Sequence, residues 1–160
     1  MEKQHALQQL EQLQKKLYAI HYACSAMNLD ADTVAPKNTS EGRGVALGVL
    51  AGEEQQLMIC PETRALLDEL DRQKDELDLL HRREVEELRR RCDQLTRIPA
   101  EEYIAYSELV NKAGDVWHKA KEKDDFAMFC PLLQELVEYN RKFAAYYDST
   151  RAPYDALLNE

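Results

Sequence analysis

Four histidines, four cysteines and thirty acidic side chains are the raw material for chemistry in this chain, and their spacing decides what they can do. A helix-borne metal site needs several N, S or O ligands that converge, which in a sequence takes the form HExxH or repeated Glu-x-x-His. No HExxH is present. Glu2 and His5 make one Glu-x-x-His at the amino terminus, and His81 with Glu84 makes the reversed pair. A di-iron bundle requires two good copies and two further carboxylates, so the count argues against a self-contained metal centre. Cys24, Cys60, Cys92 and Cys130 stand singly with no CxxC, which signals neither zinc nor a dense disulfide framework and leaves buried free thiols as the expectation.

Other pairings are weaker still. His21 and Cys24 are one helical turn apart, but one turn does not align a nucleophile with its base, and packing is the simpler role. His118 follows Trp117 and precedes Glu122 by four residues, an arrangement read as an exposed imidazole beside a buried indole. Tyr139, Tyr146, Tyr147 and Tyr154 fit a helix-packing set with hydroxyls at the rim. The glycine-rich run Gly42 to Gly48 has one spacing too long for a nucleotide loop and no strand before it, so phosphate binding there is set aside. No catalytic, cofactor or metal residue is assigned to this chain.

The elements that must carry these residues read as all-α. Leu7, Leu10, Leu13, Leu17, Ile20, Cys24 and Met27 alternate by three and four, as one helix face requires, and that helix is expected to end between Asp30 and Thr33, ahead of Pro36 and the polar Lys37 to Ser40. A second helix, capped by Ser40 and running to about Met58, carries Gly44, Gly48 and Gly52 on one face. Each glycine costs a helix interior about 1 kcal/mol relative to alanine, so close approach of another helix backbone is expected to compensate. Pro61 opens a third helix with Leu66, Leu67 and Leu70, nearly continuous with a fourth bearing Leu77, Leu80, Glu84, Leu88, Cys92 and Leu95. A fifth spans Glu101 to about Glu122, and a sixth follows Pro131 with Leu132 through Tyr147; the two are expected to form an antiparallel hairpin. Pro153, Tyr154, Leu157 and Leu158 begin one more short helix. The expectation is one helical domain over 1–160, an antiparallel bundle of about six helices.

Thirty acidic against twenty-one basic residues give a formal charge of −9, a field that disfavours nucleic acid as partner. Arg89, Arg90 and Arg91 lie among Glu84, Glu86 and Glu87 at i,i+4 spacing, the pattern of a solvated helix face. No apolar run approaches the roughly 20 residues of a membrane span, and the first residues lack a signal-peptide core, so a cytosolic protein with no membrane partner is expected.

The ordered series resembles the amino-terminal part of the Taq-type zinc carboxypeptidase family over essentially the whole chain. Leu29 to Pro36 is similar to the family's Trp-Asp-Gln-x-Thr-x-Met-Pro, matching at Asp30, Thr33 and Pro36 and departing at Leu29, Ala31 and Ala35. Trp117 to Lys121 resembles Trp-x-x-Ala-Arg with Lys for Arg, and Asp125 to Leu133 resembles Asp-Phe-x-x-Phe-x-Pro-x-Leu. The similarity runs to Tyr154-Asp155-Ala156-Leu157-Leu158. The resemblance implies a cytosolic, helical, commonly homodimeric enzyme that removes single carboxyl-terminal residues from peptides with a bound divalent, zinc-like metal. It also implies that the metal and catalytic residues lie beyond this stretch, which is then an inactive front portion forming a wall or lid of the substrate groove against the catalytic domain. On that reading Asp30, Thr33 and Pro36 face the groove. A free-standing helical adaptor or dimerisation module and a standalone metal-binding bundle are the competing readings.

Overall fold

Helix α1 (Lys3–Thr33) follows from the three- and four-residue alternation of its apolar positions, and it buries Ala6, Leu10, Leu13 and Leu17 on one face. The computed structural model describes residues 3–36 and 39–158 and is all-α. After α1 come α2 (Ser40–Ile59), α3 (Pro61–Arg72), a 3₁₀ turn at Lys74–Glu76, α4 (Leu79–Arg97), α5 (Ala100–Glu122), α6 (Phe126–Tyr147) and α7 (Pro153–Leu157). No strand occurs among the described residues. The near-continuity expected of α3 and α4 is replaced by the 3₁₀ turn. Asp78 then starts α4 by accepting the His81 backbone N–H at 2.9 Å, as an N-cap does.

The helices fall into two compact units. The first comprises α1 to Ala26, α2 from Glu53, α3, and α4 to Thr96. Its buried apolar side chains are those four of α1, Met58, Leu66, Leu67, Leu70, Leu77, Val85, Cys92 and Leu95. Removing a leucine of this kind from water stabilises a fold by roughly 1.5–3 kcal/mol. Gln55 is wholly buried and donates to the Leu95 carbonyl at 3.2 Å, while Thr63 bonds the Leu57 carbonyl at 2.7 Å across the Cys60-Pro61 break.

The second unit holds α1 from Met27, α2 to Gly52, and Arg97 onward. Here α5 and α6 form the expected antiparallel hairpin. Leu109, Ala113 and Leu132 are its centre, with Val116, Phe129, Leu136 and Tyr139 packed around them. Towards the open end Tyr106 meets Phe143 edge-on with ring centroids 5.1 Å apart, and Glu102 accepts from Lys142 Nζ at 2.7 Å and from the Tyr146 hydroxyl. Arg97 donates to the Tyr147 carbonyl at the end of α6, and α7 packs on α6 and buries Ala156.

Two further expectations change on contact with the structure. The helix read as starting after Pro131 starts at Phe126, so Pro131 sits inside α6. Its missing N–H leaves the exposed Ala127 carbonyl to water, and the cap at Asp125 offsets part of that loss. The glycine face of α2 is matched by side chains of α5 rather than by its backbone. A Cβ at Gly44 would stand 3.0 Å from Asn111, at Gly48 2.8 Å from Glu108 and at Gly52 3.0 Å from Ile104. Beside this face Arg43 donates to Asn111 at 2.9 Å and to Asp115 at 3.0 Å, fixing α2 against α5.

Gly114 has nothing within 4 Å of an added Cβ. Gly114→Ala is therefore expected to stabilise the chain by about 1 kcal/mol, and Gly48→Leu, driven into the stem of Glu108, to destabilise it by about 1–3 kcal/mol. Thermal unfolding of both variants checks this. Equal effects of the two would contradict the close α2–α5 approach.

Candidate functional site

The residues singled out for chemistry are mostly occupied elsewhere in the fold. Asp78 accepts from both the backbone N–H and Nδ1 of His81, the latter at 2.8 Å, and these bonds hold its carboxyl below the usual range. His81 thus completes a helix start instead of pairing with Glu84. Glu2 lies outside the described residues, and its partner His5 lines a groove in the first unit with Gln8, Gln12, Leu57 and Glu62. The half-buried Cys24 and the buried Cys92 have thiols pushed up by burial, the state of inert cysteines.

His21 turns away from a role with Cys24 and meets Glu54, a carboxylate only 7% exposed, at 3.0 Å from Nε2. Arg91 reaches the same carboxylate oxygen and comes within 3.2 Å of Nε2. Glu54 favours a proton on the ring, but burial and then the guanidinium charge outweigh it and hold His21 below its ordinary value. Neutral His21 therefore donates Nε2–H to Glu54, and Arg91 supplies the compensating charge. Sequence reading missed this trio; the only trace is an acidic pair, Glu53-Glu54, directly after the small-residue face of α2.

In the second unit, the stretch from Leu29 to Pro36 and the stretch from Trp117 to Lys121 come together. Asp30 and Thr33 occupy the last turn of α1, where Thr33 Oγ1 donates back to the Leu29 carbonyl at 2.5 Å and the Asp30 carbonyl accepts from Val34 and Ala35. Pro36 follows in the connection, and all three side chains are exposed. The residue that reaches across is Asp32, whose carboxylate is 3.7 Å from His118 Nε2. His118 stands edge-on to Trp117 at 4.8 Å, and Lys121 Nζ lies over the indole at 5.0 Å. Trp117, read as buried from sequence, is 42% exposed.

The third matching stretch explains the neighbouring reversal. Asp124 has φ 51°, and the N–H groups of Asp124 and Asp125 bond the carbonyls of Lys121 (3.3 Å) and Ala120 (2.9 Å). This is the Schellman arrangement that ends a helix with a left-handed residue. Asp125 then caps α6 by accepting from the Met128 N–H at 3.3 Å. The turn leaves a cleft of about 350 Å³ lined by Trp117, Lys121, Asp124, Phe126 and Phe129.

The model of the Carboxypeptidase Taq (M32) metallopeptidase family matches residues 9–160. The chain belongs to that family. It is 36% identical over 141 residues to Carboxypeptidase 1 of Bacillus subtilis strain 168, covering 87% of this chain and 28% of that protein. It is 30% identical over 145 residues to Thermostable carboxypeptidase 1 of Pyrococcus furiosus, covering 91% and 29%. Among solved structures, BsuCP superposes with a TM-score of 0.92 at 32% identity, over 97% of this chain and 31% of that one. The chain thus spans less than a third of the relatives it matches. Family membership implies a divalent metal for the whole enzyme, and the residues present here do not fit one. No three His, Cys, Asp or Glu side chains converge among the described residues, and the acids and histidines nearest to one another are bound in the pairs above.

Asp125→Ala removes the α6 cap and is expected to cost about 1 kcal/mol in thermal or urea unfolding. Because the native state keeps His21 neutral, the unfolded chain takes up its proton first. The contribution is fully present above the ordinary histidine value of about 6.5 and is lost as pH falls through the lower native one. His21→Asn should flatten that part of the stability–pH curve as pH falls below about 6.5, and an unchanged curve would contradict the assignment.

Proposed function

We propose that this chain forms a helical wall of the substrate groove in a metal-dependent carboxypeptidase that removes residues from the carboxyl ends of peptides. The observation that carries the reading is the meeting of Asp32 with His118 beside the exposed Trp117, since it joins two family-like stretches in one solvent-facing place on α1 and α5. Asp30, Thr33 and Pro36, at the same end of α1, then face the groove. The zinc-like metal and the water-activating residues belong to the part of the enzyme that this chain does not span. A cytosolic setting and a homodimer of the whole enzyme are parts of the same reading.

A free-standing adaptor or dimerisation module is the second reading. It draws on the exposed apolar residues Val110, Trp117, Phe126, Leu133 and Val137 along the hairpin.

On the groove reading, the chain alone hydrolyses no peptide even with zinc or cobalt supplied; turnover by the isolated chain would sink it. In a full-length enzyme carrying this stretch, Asp32→Ala with His118→Ala is expected to raise KM several-fold and leave kcat nearly unchanged. Peptide-hydrolysis kinetics read the split, and unchanged KM with normal folding would refute the assigned wall.

A further inference from the structure

The cleft at the α5–α6 reversal is chemically more specific than an apolar patch. Three aromatic side chains, Trp117, Phe126 and Phe129, line it from two helices. Phe126 is 64% exposed, so a large hydrophobic surface stands in water at the mouth. The same cleft is lined by one cation and one unused anion. Lys121 makes no ion pair among the described residues and rests over the indole of Trp117. The Asp124 carboxylate makes neither ion pair nor hydrogen bond among the described residues, and Asp124 stands at the left-handed turn that bounds the cleft. Asp125 is committed to the α6 cap. Lys121 and Asp124 make no ion pair with each other, so a zwitterion seated in the cleft can meet both charges at once.

We propose that this cleft binds a free α-amino acid with an aromatic or large aliphatic side chain. The side chain lies against Trp117, Phe126 and Phe129, the α-carboxylate pairs with Lys121 and the α-ammonium with Asp124. About 350 Å³ is room for one amino acid. A peptide interior offers neither terminal charge and a peptide carboxyl end offers one, whereas a free amino acid carries both. Such a molecule is the product class of carboxyl-terminal trimming. A role in holding or sensing released product rests on the function proposed above; the binding itself does not.

Trp117 is the single tryptophan of the chain and reports on the cleft directly. The experiment follows its indole N–H resonance and fluorescence while titrating L-phenylalanine, 3-phenylpropionate, which has no ammonium, and 2-phenylethylamine, which has no carboxylate. L-phenylalanine is expected to give a saturable shift, with each analogue binding about fivefold more weakly. Lys121→Gln should weaken L-phenylalanine to the level of the amine, and Asp124→Asn, which keeps a residue suited to the left-handed turn, to the level of the acid. No saturable shift with L-phenylalanine overturns the assignment, and so does equal binding of all three ligands, which would mark an aromatic patch only. The wild-type ligand series decides the matter even where a variant folds poorly, and a flat titration leaves the groove reading untouched.

Discussion

The hairpin of α5 and α6 depends on a three-residue reversal in which one aspartate ends a helix and the next begins one. Asp124 takes a left-handed backbone, which lets the last carbonyls of α5 find the amides of Asp124 and Asp125, and the Asp125 side chain then satisfies a first amide of α6. Every orphaned group that is bonded within this turn would otherwise cost about 1 kcal/mol or more. Because the reversal is this tight, Phe129 reaches the Leu109, Ala113 and Leu132 core, while Trp117 and Phe126 are left at the open side with Lys121. The cleft therefore follows from turn chemistry, which sets the aromatic side chains of the two helices around it.

A metallopeptidase family member would ordinarily be read through its histidines and carboxylates. In this stretch those groups serve the scaffold. Asp78 and His81 start α4, Asp125 starts α6, Asp115 anchors Arg43, and Glu102 ties Lys142 and Tyr146 across the hairpin. Glu54, removed from water, is compensated by Arg91 and His21, an arrangement whose main effect is to make loss of either partner costly rather than to add net stability. At the end of α5, with Asp32 of α1 beside it, ionisable and aromatic groups remain turned to solvent.

Much of the fold was legible in the sequence because helical periodicity and proline are local signals. The α1 face, the breaks at Pro36, Pro61 and Pro99, and the α5–α6 pairing all follow from them. The start of α6 was not, since Pro131 reads as a barrier unless the cap six residues earlier is recognised, and Asp125 looks like an ordinary turn residue. The glycine face of α2 announced close packing, but whether backbone or side chains would fill it depends on the register of α5, which puts Ile104, Glu108 and Asn111 opposite. The Glu54, Arg91 and His21 trio joins three helices far apart in sequence, and no spacing within one helix reveals it. In the segment of Asp30, Thr33 and Pro36 the residue that reaches α5 is Asp32, a position that the motif leaves unassigned.

The account stands on the claim that the end of α1 and the end of α5 face substrate together. Amide hydrogen exchange on a full-length enzyme containing this stretch, with and without a slowly cleaved peptide bound, tests it most directly. Protection is predicted at residues 29–36 and 114–126, with little change along α3 and α4. Protection confined to α3 and α4, or absent throughout these helices while the peptide is bound, would contradict the claim.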